Sequence, residues 1–133
     1  MPPRERPKTL GQASPIARER VGLSPMTAVA YSVTAQLTGT EMREQYIAWL
    51  IDGHVQAVLV AGASSAQVVV ADGSDCRVET RYTFPDAAAL SRYLDLHAPA
   101  LRAKGMRLFG TSTGVTFSRQ TGTIVCNLSA AGS

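Results

Sequence analysis

The sequence predicts an α+β fold built in the order strand, helix, strand, strand, helix, strand. Apolar and polar residues alternate with a period of two where strands are expected, and the apolar period becomes helical in two longer segments. Glycine, proline and aspartate residues typical of turns separate these segments. A chain of 133 residues that is 45% hydrophobic is long enough to bury the core of one domain.

The first half of the pattern is a strand followed by a broken helix. Residues 28–37 alternate between apolar and polar side chains, which is typical of a half-buried strand. A helix is predicted from Thr40, because apolar residues then recur at helical spacing. Gly53 is expected to break this helix, so that residues 55–61 form a short second piece.

The middle of the chain predicts a hairpin. Residues 66–71 are nearly all apolar, and residues 77–84 alternate between polar and apolar side chains. The four residues between 71 and 76 have the composition of a turn. Two strands joined by a short polar turn pair as antiparallel neighbours.

The last part of the pattern is a second helix and a final strand. A Pro-Asp pair at residues 85–86 suits the start of a helix, since proline fits the first turn and the acid favours the helix dipole. Pro99 is expected to kink or restart this helix, and Gly105 is expected to end it. Residues 115–125 are rich in threonine and apolar residues, and Gly122 leaves open whether they form one bulged strand or a hairpin.

This β-α-β-β-α-β order is that of the ferredoxin-like fold, a four-stranded antiparallel sheet with both helices on one face. The domain is predicted to span residues 26–128, with a flexible tail at residues 129–133. Because the helices cover only one face, the other face must meet solvent, a ligand or a second copy of the chain.

The basic residues are concentrated before the predicted domain. Residues 1–25 hold five Lys or Arg against two Glu, together with five of the seven prolines, whereas residues 26–133 hold eight residues of each charge. A segment with this many prolines cannot offset the entropy that it would lose on ordering. Residues 1–25 are therefore predicted to be a disordered arm. Met26 directly precedes the first strand, so the sequence leaves open whether Met26 is the true start.

Charge and hydropathy also exclude two classes of partner. The predicted domain has no net positive charge, whereas a nucleic-acid-binding domain carries a basic patch. No apolar run approaches the ~20 residues of a membrane span. We therefore expect a cytoplasmic protein that binds neither nucleic acid nor membrane.

The sequence contains no pattern for a metal or a cofactor, and none is predicted. Cys76 and Cys126 have no second Cys or His at ligand spacing, so two buried thiols are expected.

Residues 110–114 match the G-x-S-x-G pattern of a nucleophile elbow. That motif needs a helix after it and a base later in the chain, whereas here a strand follows and both histidines come earlier.

Two histidines are the candidate acid–base groups. His54 and His97 each follow an aromatic residue along a predicted helix, and an imidazole can move a proton near neutral pH. Packing or capping is the commoner role of a lone histidine on an apolar stripe. The residues therefore leave open whether the protein is an enzyme.

Three aromatic residues are candidate walls of a ligand pocket, although core packing is the commoner role of such residues. They are Tyr31, Trp49 and Tyr82. Arg77 and Arg81 flank Glu79 on the polar side of a strand. These charges have two possible roles. They form an ion network that faces solvent or a second copy of the chain, or they anchor an anionic ligand, in which case Arg81 is the candidate ligand-binding residue.

Three runs of residues together resemble a known family. They are Tyr-Ser-Val-Thr at residues 31–34, Tyr-Ile-Ala-Trp-Leu at residues 46–50 with His54 after it, and His-Ala-Pro-Ala-Leu-Arg at residues 97–102, which is the most specific. Over residues 28–119 the chain resembles short bacterial proteins of unknown function in the dimeric α/β-barrel superfamily. It departs from the family pattern at Gly53 and Gln56, where an acid and a proline are usual, and near Ala63, where an aromatic residue is often found.

The resemblance implies a homodimer in which two sheets face one another and the helices lie outside. The wider superfamily includes cofactor-independent monooxygenases, polyketide cyclases, muconolactone isomerase and dye-decolourising peroxidases. Their catalytic residues vary too much to be carried over by position, so the resemblance implies a fold and a dimer but no particular reaction.

Two functions follow as hypotheses. In the first, the dimer binds a small apolar or aromatic, polyketide-like molecule between sheet and helices, and transforms it without a cofactor if it is an enzyme. In the second, it is a non-catalytic interaction or regulatory module whose sheet interface is filled. A cavity on the order of several hundred Å³ that reaches a histidine favours the first hypothesis, and a filled interior favours the second.

Overall fold

A four-stranded antiparallel sheet and four helices make up the part of the chain that the computed structural model describes, residues 27–73 and 75–130. The predicted arm at residues 1–25 and most of the predicted tail lie outside the described residues. The elements in chain order are β1 (Val29–Gln36), α1 (Thr40–Trp49), a wide turn (Leu50–His54), α2 (Val55–Val60), β2 (Ser65–Val70), β3 (Arg77–Phe84), α3 (Ala87–Leu96), α4 (Ala98–Phe109), a 3-10 turn (Thr111–Thr113) and β4 (Thr116–Thr123).

The sheet has the strand order β2-β3-β1-β4, which confirms the predicted ferredoxin-like fold. Strand β1 lies in the interior of the sheet, where Val29 pairs with Phe84 of β3 on one side and with Thr123 of β4 on the other. Strand β4 is a single strand that continues through Gly122 without a hairpin. The open question about residues 115–125 is thereby answered.

The core lies between the sheet and the helices. Alternate residues of β1 and β3 face the helices and are buried, as the period of two predicts. One cluster of the core surrounds Phe84 and Tyr93, and a second surrounds Leu50 and Phe109. Burying such a side chain stabilises the fold by roughly 1.5–3 kcal/mol relative to leaving it exposed.

Helix α3 begins as the sequence predicts. Asp86 is its N-cap, and its carboxylate accepts a hydrogen bond of 2.8 Å from the backbone N–H of Ala89. The helix ends at Leu96, and α4 then begins with Pro99 in its first turn, where a missing N–H costs nothing.

The prediction that Gly105 ends the second helical segment is wrong. Helix α4 continues to Phe109, and Gly110 follows as its C-cap. Gly105 is buried against the indole of Trp49, and a Cβ built on it would lie 3.1 Å from Trp49 Cη2. The glycine therefore allows the helix to approach a large ring rather than ending it.

The two cysteines have different surroundings. Both are free thiols, but only Cys76 is buried, whereas Cys126 is exposed. The prediction of two buried thiols is therefore wrong for Cys126, because β4 ends at Thr123 and the chain leaves the sheet before reaching the cysteine.

Within the described ranges, no three His, Cys, Asp or Glu side chains are grouped as a metal site. Among the helices described, none is long and apolar enough to cross a bilayer.

Candidate ligand-binding site

A cavity of about 50 Å³ lies between the helix-facing side of the sheet and helices α1 and α4. Its walls are mainly aromatic, with rings from Tyr31, Tyr46, Trp49, Tyr82, Tyr93 and Phe117. The cavity reaches a histidine, as the first hypothesis requires, but it is several-fold smaller than the roughly 300–1,000 Å³ of typical ligand sites.

The small volume has a cause in the packing of the tyrosines. The ring of Tyr31 lies 6.1 Å, centre to centre, from both Tyr82 and Tyr93, in stacked and edge-to-face arrangements respectively. All three side chains are buried. Rings that interdigitate in this way leave room only for water molecules or the edge of a ligand.

The wide turn between α1 and α2 places His54 at the cavity. Asp52 and Gly53 leave helical geometry, and Gly53 adopts φ +144°, a conformation that favours glycine. The N–H of Val55 then donates to the carbonyl of Leu50, five residues earlier rather than four. The turn therefore holds one residue more than a regular α-helical turn.

This extra residue brings His54 against Trp49. In a regular α-helix, side chains five residues apart point in different directions. Here the two rings stack with centres 4.2 Å apart. The indole also lies close to Gly105, so Trp49 packs against both a histidine ring and the backbone of α4.

Burial determines the protonation state of His54. Loss of solvent lowers the pKa of its imidazole from 6.5 to about 4. The ring is therefore neutral at physiological pH and can accept or donate a hydrogen bond. A pKa this low makes His54 a weak base.

Tyr46, Tyr82 and Tyr93 are also neutral. Burial raises the pKa of Tyr46 and of Tyr93 to about 12, although the positive charge of Arg119 partly opposes this for both. The pKa of Tyr82 is raised still further, chiefly by burial and then by its tyrosine neighbours. The cavity therefore presents phenol groups rather than phenolates.

Thr80 is the polar group at the floor of the cavity. It is 1% exposed, and its hydroxyl oxygen has no hydrogen-bond partner within the described part of the chain. The hydroxyl is close enough to Tyr46 to lower that residue's pKa slightly, but the pair lacks the distance and angles of a formed hydrogen bond. A buried hydroxyl left in this state costs about 1–3 kcal/mol.

Two arginines complete the site. The Nη2 of Arg102, on α4, donates to the hydroxyl of Tyr31 at 3.0 Å. Arg119, on β4, has its guanidinium carbon 5.7 Å from the centre of the Phe117 ring. Both arginines are exposed as whole residues while lining the cavity, so they stand at its mouth.

The structure brings together four of the six candidate residues named from the sequence. Tyr31, Trp49, Tyr82 and His54 all line the cavity. His97 does not line it and is exposed at the junction of α3 and α4. Arg81 lies on the sheet face away from the helices, where its guanidinium pairs with Glu79 at 3.0 Å.

Sequence reasoning missed three polar groups of the site. Thr80 interrupts the otherwise apolar and aromatic inward positions of β3, and that break in the alternation is the signal that could have found it. Arg119 had no such signal, because Thr121 and Thr123 also occupy inward positions of β4. Arg102 is the last residue of the run 97–102, the most specific part of the family resemblance, and that membership is the signal that could have found it. Its contact with Tyr31 depends on how α4 packs on the sheet.

Comparison with known families gives one clear match. The model of a family described as a domain of unknown function, DUF4286, matches residues 28–123. No curated protein matches the chain.

Solved structures show the same fold at low sequence identity. A dimeric ferredoxin-like protein from an uncultured marine organism is 16% identical, with 77% of this chain and 99% of that chain covered and a TM-score of 0.58. A mutant of SnoaB, a cofactor-independent oxygenase from Streptomyces nogalater, is 13% identical. The match covers 77% of this chain and 97% of that chain, with a TM-score of 0.59. A second dimeric ferredoxin-like protein from an uncultured marine organism is 12% identical. The match covers 79% of this chain and 94% of that chain, with a TM-score of 0.55.

Proposed function

This chain belongs to the DUF4286 family, and we propose that it is a homodimer that binds a small aromatic molecule in the cavity between its sheet and its helices. The observation that carries the proposal is the unpartnered hydroxyl of Thr80, which is buried at the floor of an aromatic-walled cavity. A ligand oxygen would supply the missing hydrogen bond, and the rings around it would cover an aromatic ligand.

The cavity volume limits the size of the ligand. A dry cavity of about 150 Å³ takes up benzene, whereas this cavity measures about 50 Å³. A single aromatic ring would therefore enter only as one wall moves. Met106 lines the cavity and is partly exposed, and its flexible thioether side chain suits it to that movement. Several fused rings, as in a polyketide, would require a larger displacement.

The dimer is proposed from the second face of the sheet. That face carries Ser32 and Thr34 of β1 and the ion pair of Glu79 with Arg81 on β3, and no helix of the described chain covers it. Two of the structurally similar proteins are described as dimeric. A twofold axis through this face would bring the same residues of each copy together.

Binding is a better-supported role than catalysis. SnoaB is a cofactor-independent oxygenase, but its 13% identity carries only the fold. In this chain the one imidazole at the cavity has a pKa near 4, so it is a poor proton acceptor from carbon or oxygen acids. Hydrogen bonding to a ligand is the role that its neutral state supports.

The small cavity also favours a second candidate function. A homodimer whose interior is already filled by its own side chains would serve as a non-catalytic interaction or regulatory module. In that case no ligand would accompany the protein, and Thr80 would simply be a tolerated unpaired hydroxyl.

Native mass spectrometry of the full chain purified from its own host tests the proposal. We expect a dimer that carries a reproducible small molecule, released on denaturation. A dimer without a bound molecule would favour the interaction module, and a monomer would contradict the facing-sheet arrangement.

A matched pair of variants tests the role of Thr80. Thr80→Val removes the hydroxyl at constant shape, and we expect less co-purified ligand. Thr83→Val, on the opposite face of the same strand, should leave ligand retention unchanged.

A further inference from the structure

Within the part of the chain that the structure describes, the two arginines at the cavity mouth have no carboxylate partner. Arg102 and Arg119 line the cavity, and within the described ranges neither forms an ion pair with a carboxylate. By contrast, three arginines elsewhere lie within 3.4 Å of an acid: Arg43, Arg77 and Arg81. The pair at the mouth is therefore free to take an anion.

Among the described residues that line the cavity, no other group neutralises these charges. The residues that line it include no Asp or Glu. Burial keeps His54 neutral, since its pKa is about 4, and keeps Tyr46 and Tyr93 neutral, since theirs are about 12. The lining thus carries positive charge alone at neutral pH, and a cleft with low-dielectric walls concentrates such a field.

The sheet register gives the spacing of the polar groups. Val33 of β1 pairs with Thr80 of β3 on one side and with Arg119 of β4 on the other, and all three line the cavity. Because neighbouring strands are about 4.8 Å apart, the Cα atoms of Thr80 and Arg119 are separated by about 9–10 Å. Val33 forms an apolar floor between them, over which one aromatic ring would fit once a wall of the cavity moves.

We propose that the ligand is an aromatic acid with a second oxygen at the far end of its ring. The ring lies over Val33, the carboxylate is held by Arg102 and Arg119, and the far oxygen shares a hydrogen bond with Thr80. The planar guanidinium fork matches a carboxylate, and the surrounding aromatic walls cover the ring. This inference rests on the proposed function and adds to it the charge and the polar groups of the ligand.

The test compares two probes of nearly the same shape on the full chain. para-Hydroxybenzoate carries the negative charge, and para-hydroxybenzamide is its neutral counterpart. Binding is followed by the fluorescence of Trp49, which is the single tryptophan of the chain and lines the cavity. We expect the acid to bind about tenfold more tightly than the amide, in line with a charge-assisted hydrogen bond.

Three arginine variants locate the charge. Arg119→Gln and Arg102→Gln should each weaken binding of the acid about tenfold and leave binding of the amide nearly unchanged. Arg107→Gln, on the same helix as Arg102 but not at the cavity, should change neither. Arg119 is exposed on strand β4, so its variant should remain folded even if Arg102→Gln, which loses the bond to Tyr31, does not.

Benzoate, which lacks the far hydroxyl, tests the contact with Thr80. Thr80→Val should weaken binding of para-hydroxybenzoate several-fold and leave benzoate unaffected, whereas equal weakening of both would overturn this contact. Equal binding of acid and amide would overturn the anionic assignment while leaving the proposed function standing. An Arg107→Gln effect as large as that of Arg119→Gln would overturn the assigned arginines. If none of the three probes binds, the inference fails, whereas the proposed function is decided by whether the protein from its own host carries a small molecule in native mass spectrometry.

Discussion

The two helical pairs that cover the sheet are interrupted in different ways. Between α1 and α2 the helical path continues through a turn with one extra residue, and Gly53 absorbs the distortion at φ +144°. Between α3 and α4 the first helix ends at Leu96 and a new one starts with Pro99 in its first turn. Each interruption is accompanied by a histidine, but only the first histidine reaches the cavity.

The difference shows that the kind of interruption decides where the neighbouring side chain points. A wide turn rotates the residues after it, so His54 comes to lie on Trp49 and loses solvent. A stop followed by a restart leaves the junction at the surface, so His97 is exposed. Two histidines that each follow an aromatic residue therefore differ in exposure because of the backbone between the helices.

Removing the indole should have the largest effect. Trp49→Ala takes away the ring that contacts His54, Tyr46, Phe109 and Gly105, and we expect a loss of about 3 kcal/mol in the free energy of unfolding. Urea denaturation measures it, with Leu96→Ala as an exposed control expected to change little. Unchanged stability together with lost ligand binding would instead make Trp49 a pocket wall with no part in the core.

Strain in the wide turn should have the next largest effect. Gly53→Ala places a side chain at φ +144°, and we expect destabilisation of about 1–3 kcal/mol, although the added Cβ itself meets no atom within 4 Å. Gly122→Ala is the control, since that glycine has no positive φ and its Cβ also meets open space. Equal effects of the two substitutions would show that the turn imposes no strain.

The low pKa of His54 predicts a smaller, pH-dependent effect. Between pH 6.5 and about 4 the unfolded chain binds a proton that the folded chain does not, so the contribution of His54 to stability falls as the pH is lowered through this window. His54→Asn should make the stability less sensitive to pH there. Leu96→Ala, at an exposed and uncharged position, should leave the slope as in the native protein, and an equal change of slope in both variants would show that the pH dependence does not come from His54.

The smallest effect on stability is expected at Gly105. In Gly105→Ala, the gain in helix propensity of about 1 kcal/mol opposes the close contact of the new Cβ with Trp49, so the net change should be under about 1 kcal/mol. The emission of Trp49 should nevertheless shift, because the ring must move by a few tenths of an ångström. An unshifted emission spectrum would show that the indole is not packed against α4 at Gly105.

The fold followed from the sequence because alternation and helical spacing are local patterns. Residues 77–84 show which side of β3 is buried without any knowledge of its neighbours. The cavity was only partly predictable, since the meeting of Thr80, Arg119 and Arg102 depends on strand register and helix packing. Gly105 was misjudged for the same reason, because its partner is a ring more than fifty residues earlier in the chain.

The interior position of β1 has a consequence for how the chain acquires its structure. Among the four strands β1 is made first, yet its partners contain residues 84 and 123, so neither pairing can form while the first half of the domain emerges from the ribosome. Only the β2–β3 hairpin joins neighbours in sequence. Closing the sheet depends on contacts between distant residues, which favours slow folding, and it leaves the amphipathic β1 unpaired until β3 and β4 have been made.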